Sequence, residues 1–139
     1  MLKWKTTGVY TVSNTANNTR VCYKCRTTKA LGDFARDASR EGGFSYRCKT
    51  CANASRKALR DNIRDALQAI KLESGCVDCG YNDHPQALDF DHTEDNKVMN
   101  PSALRRYNLA AALVEASKCE VVCANCHRIR TYERSGKSY

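Results

Sequence analysis

Four Cys-x-x-Cys pairs punctuate this chain of 139 residues: Cys22/Cys25, Cys48/Cys51, Cys76/Cys79 and Cys123/Cys126. A turn of this kind aims two sulfurs at one point. Two such turns fill a tetrahedral shell of four thiolates about 2.3 Å from a zinc ion. Taken in order, the first two pairs stand 22 residues apart and the last two 43 apart. Each set makes one closed four-cysteine site, so the chain is expected to carry two structural Zn2+ ions. Cys119 is left over and reads as a small apolar residue on a strand.

A disulfide framework is the competing reading. It is disfavoured by the odd number of cysteines, nine, and by an N-terminus, "MLKWKTTGVYTVSNTANN", without the apolar run of a secretory signal. The expectation is therefore a cytoplasmic protein, in a bacterial host's cytoplasm if phage-encoded, where thiols stay reduced. No stretch is long and apolar enough to cross a membrane, so no membrane partner is expected. Only 8% of residues are aromatic and 42% are hydrophobic, so metal rather than a large core should fix the fold.

Charge divides the chain. Residues 1–60 carry 13 Lys/Arg against 3 Asp/Glu, whereas residues 61–139 carry 10 against 12. A basic half favours a polyanion partner. The acidic half concentrates Asp89, Asp91, Glu94 and Asp95, a cluster that repels phosphate unless a cation sits among it.

Three segments follow. Residues 1–53 hold a tail, read as a strand fragment or flexible over 1–20, and the first four-cysteine module, with Gly42-Gly43 turning the chain before "FSYR". Residues 54–75 are a linking helix whose apolar stripe is Leu59, Ile63, Ala66, Leu67 and Ile70, ended by Ser74-Gly75. Residues 76–139 form the second module. "ALDFDH" and "CEVVC" read as strands, "PSALRRY" and "LAAALVEASK" as helical turns with Pro101 at a start, and "ANCHRIRTYER" as a closing helix. The fold class is α+β, small and zinc-stapled.

With four cysteines on the second zinc, His127 is not needed as its ligand. Asp91 and His127 offer one carboxylate and one imidazole, a set that suits Mg2+, Mn2+ or another transition metal with open positions for water and phosphate. His92 has the chemistry of a general base, with an imidazole that titrates around 6.5 when unperturbed. Asp89, two residues from Asp91, shares its face of the strand and is read as a partner of the ligands rather than as a ligand. His84, before Pro85, reads as a structural or exposed loop residue.

"CVDCG", "LDFDH" and "KCEVVCANCHRIRT", in that order over residues 76–134, resemble the HNH endonucleases of the ββα-metal fold, in the branch whose two arms are tied by a four-cysteine zinc. The resemblance implies that Asp91 and His127 hold a catalytic divalent ion and that His92 activates water. It also implies hydrolysis of a DNA phosphodiester, as a nick or a double-strand cut, to a 5′ phosphate and a 3′ hydroxyl. The family's middle asparagine, which orients the base, has Cys119 at about its place here. Asn125 is the candidate substitute, or else a cap on the closing helix. The N-terminal "CYKC … KALGDF … RCKTC" is similar to accessory zinc knuckles beside phage and bacterial nucleases of this type.

DNA contacts are expected from Arg128 and Arg130 on the closing helix and from Arg56, Lys57 and Arg60, while Arg105 and Arg106 read as a solvated helix face. The phosphate contacts supply a salt-sensitive, sequence-independent term. A monomer and a homodimer are both open. The rival readings are a zinc-dependent nucleic-acid-binding protein without catalysis and a protein-interaction module. Metal analysis of the purified chain should return two zinc per chain, and one or none would rule out two four-cysteine sites.

Overall fold

The structure is a computed structural model and describes residues 18–93, 97–104 and 108–136. Most of the expected tail, together with Glu94, Asp95, Arg105 and Arg106, lies outside these residues. The chain divides into two compact units, Met1–Ser55 and Arg56–Tyr139.

In the first unit, β1 (Thr19–Val21) pairs antiparallel with β2 (Thr28–Ala30). The turn between them is the first knuckle. Cys22 N–H donates to Thr27 O at 2.9 Å and Arg26 N–H to Cys22 O at 2.8 Å. Arg26 takes a left-handed backbone, φ 60°. β3 (Phe34–Arg36) pairs antiparallel with β4 (Phe44–Cys48), and the expected Gly42-Gly43 turn leads into β4. Phe34, Cys22 and Cys48 form a small buried cluster. Arg20 is buried too; its guanidinium donates to Phe44 O at 2.7 Å and lies 4.6 Å from the centre of the Tyr46 ring.

α1 (Lys49–Ser74) follows β4 directly. Periodicity places its start at residue 54, but the helix begins five residues earlier, because Cys48-x-x-Cys51 is itself the bend from strand to helix. Cys48 is the last strand residue, and Cys51 lies in the first helical turn. α1 ends as expected at Gly75, whose left-handed backbone (φ 64°) lets its N–H reach Lys71 O at 2.9 Å.

In the second unit, Ile63 and Leu67 of α1 are buried against Ala112 and Ala116 of α3 (Leu109–Ala116). Leu59, at the other end of the expected stripe, stays 37% exposed. The short helix α2 (Pro101–Leu104) starts at Pro101. Asn108 caps α3, its carboxamide oxygen accepting from Ala111 N–H at 2.7 Å.

β5 (Leu88–His92) and β6 (Cys119–Cys123) pair antiparallel over their full length, Leu88 opposite Cys123 and His92 opposite Cys119. α4 (Ala124–Arg134) continues straight from β6. The second knuckle repeats the first: Cys76 N–H donates to Tyr81 O and Gly80 N–H to Cys76 O, both at 2.8 Å. Gly80 has φ 76° at the position Arg26 holds in the first. Leu88 and Val122 are fully buried beside Cys76, Val121 and Cys123. Among the described residues no helix is long and apolar enough to cross a membrane.

Leu88→Ala empties the centre of this small core and should destabilise the zinc-loaded protein by about 3 kcal/mol. The exposed Val77→Ala should change it by less than about 0.5 kcal/mol. Denaturant unfolding of both variants measures the difference.

Candidate functional site

Among the described residues, two groups of side chains are gathered closely enough to hold a metal: Cys22, Cys25, Cys48 and Cys51, and Cys76, Cys79, Cys123 and Cys126. The four sulfurs of each group lie within 4.8 Å of one another. Cys79 Sγ and Cys123 Sγ are 3.7 Å apart. Four sulfurs set tetrahedrally about 2.3 Å from a zinc would stand about 3.8 Å apart, so the spacing fits. Both groups could hold structural zinc.

Burial pushes the Cys22 thiol up, but backbone N–H groups of Cys25, Cys48 and Lys24 aimed at its sulfur bring it down to about 6. Cys76 behaves alike under the N–H groups of Cys123, Cys79 and Asp78, also to about 6. Their neighbours move the other way. Cys51 is pushed up to about 12, first by the Cys48 sulfur and then by burial, and Cys126 is raised by Cys123. Four thiolates this close ionise together only around a cation.

The alternation of β5 sorts the second site. Leu88, Phe90 and His92 leave one face of the strand, Asp89 and Asp91 the other. On α4, His127, Arg130 and Arg134 stand at i, i+3 and i+7, one helical face, and that face meets the two aspartates. His127 Nδ1 lies 3.2 Å from Asp89 Oδ2, and His127 Nε2 lies 3.7 Å from Asp91 Oδ1. A carboxylate only accepts, so Nδ1 carries the proton in that bond. In the neutral ring Nε2 then presents a lone pair to Asp91. Two acceptors facing each other at this distance are within the span of two ligands on one ion at about 2.1 Å each. Asp89 thus takes the place the sequence suggests, behind the imidazole rather than beside the pair.

Asp91 is 5% exposed and is bound by two guanidinium groups. Arg134 donates to both of its oxygens, at 2.9 and 2.8 Å, and Arg130 donates to Oδ2 at 3.1 Å. Arg134 first, and Arg130 after the opposing effect of burial, hold the Asp91 carboxyl below its usual range. Arg130 also donates to Glu120 at 2.7 Å and to Asp78 at 2.8 Å. Expected as a phosphate contact, Arg130 is placed as a strut joining the knuckle loop, β5 and β6.

His92, the last residue of β5, is turned to α3. Its Nε2 donates to Glu115 Oε1 at 3.0 Å. Glu115 is only 2% exposed. The same Oε1 accepts from Val98 N–H at 2.8 Å and Met99 N–H at 3.2 Å, and Oε2 accepts from Lys118 at 2.9 Å. So the structure brings Asp91 and His127 together and sets His92 at the strand end, on the opposite face. Asn125 is exposed in the first turn of α4, and the cap of that helix is Cys123, whose sulfur accepts from Cys126 N–H at 3.5 Å. Cys119 donates to Glu115 O at 3.4 Å, and burial pushes its thiol up to about 11.

Of the remaining expected contacts, Arg128 and Arg60 are exposed. Lys57 pairs with Asp61, as does Arg64, which also reaches Asp65. Arg56 is exposed on α1. His84 is exposed in its loop and accepts from Gln86 N–H at 3.4 Å. Sequence reasoning passes over Glu115 and Arg134. Glu115 sits in an Ala- and Leu-rich helix where one acid reads as solvated, and Arg134 carries only the i+7 spacing from His127 as its signal. Set against protein-family models, curated proteins and solved structures, the chain matches none.

Glu115 titrates at about 2 against an ordinary 4.5, held down by Lys118 first, against burial, and then by Val98 N–H, His92 and Met99 N–H. A lowered carboxyl stabilises the fold fully above its unfolded value and loses that contribution as pH falls. Glu115→Gln should therefore lower Tm at pH 7, and the gap from wild type should shrink as pH drops from 4.5 towards 2. A pH-independent gap would place the role of Glu115 in shape rather than charge.

Proposed function

We propose that the second unit is a metal-dependent DNA endonuclease of the HNH type, with one divalent ion held by Asp91 and His127. The observation that carries the reading is the Nε2-to-Oδ1 spacing of 3.7 Å, with Asp89 fixing the tautomer from behind. A strand, a second strand and a helix present these groups, and the Cys76/Cys79/Cys123/Cys126 group ties the ends of that unit. A divalent ion, Mg2+ or Mn2+, would stabilise charge developing on the phosphate and the leaving oxygen.

The chain's own groups do the rest. Asp89 accepts the Nδ1 proton of His127 and keeps Nε2 facing Asp91. Arg134 is 54% exposed, so it is the guanidinium that can move from Asp91 to a phosphate, while Arg130 stays anchored by Asp78 and Glu120. Glu115 accepts the Nε2 proton of His92, so His92 would take a proton from water through Nδ1, and that step requires its side chain, 9% exposed and on the other face of β5, to turn towards the ion. Products with a 5′ phosphate and a 3′ hydroxyl belong to the same reading. Arg128, with Arg56, Lys57 and Arg60, adds a salt-sensitive hold on the backbone.

A second reading, a zinc-dependent nucleic-acid-binding protein without catalysis, draws on two observations. Arg130 and Arg134 already neutralise Asp91, and His92 faces away from His127.

Supercoiled plasmid with Mg2+ or Mn2+ separates the two. Nicking by the wild type that is lost in His92→Ala and in Asp91→Asn supports the nuclease; binding without nicking supports the second reading. Asp89→Ala should weaken Mn2+ binding by roughly 10- to 100-fold without changing zinc content, as measured by calorimetry. Unchanged Mn2+ affinity would remove Asp89 from the site.

A further inference from the structure

Two clefts meet at Asp89 and His127. One, beside α4, includes Arg128 and Thr131. The other has a volume of about 370 Å³ and reaches from His127 and Asp89 to α1. Its lining combines the apolar side chains of Leu67, Phe90 and Pro101 with the carboxamides of Gln68, Gln86 and Asn100.

The cleft that reaches α1 is poorly suited to phosphate. Its two cations are already engaged: Arg64 pairs with Asp61 and Asp65, and the Lys71 ammonium is bonded to Leu88 O. Neutral carboxamides offer both donors and acceptors. Together with flat apolar walls, they suit a planar, uncharged group whose edge carries donors and acceptors. A nucleobase is such a group, and enzymes take bases out of the stack into pockets of this composition. The volume lies within the range of pockets for small ligands.

We infer that this cleft binds one unpaired nucleobase, adjacent to the scissile phosphate. The inference rests on the nuclease reading and narrows its substrate class to DNA with an unstacked nucleotide, such as a flap, an overhang or a single strand. A fully paired base stays in its stack and cannot enter. Arg128, in the second cleft, holds the backbone on the other side of His127.

The test uses the full zinc-loaded chain with no other divalent ion added, so that binding is read without cleavage. Three hairpin DNAs are compared: one with a short unpaired overhang carrying 2-aminopurine, one with the same overhang lacking its bases, and one blunt. The overhang with bases should bind about tenfold tighter than the other two, the scale of one base stacked on protein, with a change in 2-aminopurine emission. In the Gln68→Ala/Asn100→Ala double variant, the preference should fall to within about twofold while zinc content and helix content hold. Equal binding of the three DNAs, a preference that the base-free overhang shares, or a preference unchanged in the double variant overturns the inference. Plasmid nicking without overhang preference leaves the nuclease reading standing and removes the base cleft; overhang preference without nicking in any metal does the reverse.

Discussion

Closure of 43 residues between Cys79 and Cys123 is the constraint on which the second unit depends. The segment it encloses has little core of its own: Leu88, Val121 and Val122 are its buried apolar strand residues. Holding such a loop shut costs entropy that rises slowly with its length, and four metal–sulfur bonds would supply binding energy that acts as folding energy. Because Cys123 both ends β6 and caps α4, the clasp also sets the direction in which the helix leaves the sheet. That direction lays His127, Arg130 and Arg134 over Asp89 and Asp91.

The period of two along β5 does the sorting. One face is given to packing and to Glu115, the other to charge. Asp89, Asp91 and Glu120 would repel one another if left alone. Arg130 and Arg134 offset that repulsion from the facing helix, and His127 inserts between the two aspartates. The arrangement is an ion-pair network with one gap, between Nε2 and Oδ1, rather than an open acidic bowl.

Much of this was legible in the residues. The four cysteine pairs, the two strands and the closing helix follow from spacing and alternation, which are local signals, whereas the pairing of Asp91 with His127 comes from ligand chemistry and from the resemblance of "LDFDH" and "CANCHRIRT" to a known motif. What stayed hidden was set by contacts between distant segments. Nothing in "LAAALVEA" marks Glu115 as buried, because its partners come from the loop around Val98, the end of β5 and Lys118. The face on which His92 leaves β5 was available from alternation, but its neighbour Asp91 drew both into one site. Arg130 reads as a free cation on a helix until Asp78, far away in sequence, is brought beside it. The early start of α1 escapes a hydrophobic count because Cys51 serves a cluster rather than a stripe.

The two knuckles share one backbone turn with different residues at its left-handed position, Arg26 in one and Gly80 in the other. Such a backbone costs a side chain about 1 kcal/mol. Arg26 recovers part of it by lying over the Tyr23 ring, 5.3 Å from its centre. A Cβ on Gly80 would meet no atom within 4 Å, so the cost of a side chain there is the left-handed backbone, φ 76°, rather than a clash. The cysteine turn is therefore a portable part, used twice in this chain, with a backbone cost at its left-handed position that glycine avoids and Arg26 partly offsets. What separates the two uses is the chain each pair encloses: a short span returns only the polypeptide to itself, while the longer one brings Asp89 and Asp91 back to His127, just past its closing cysteines.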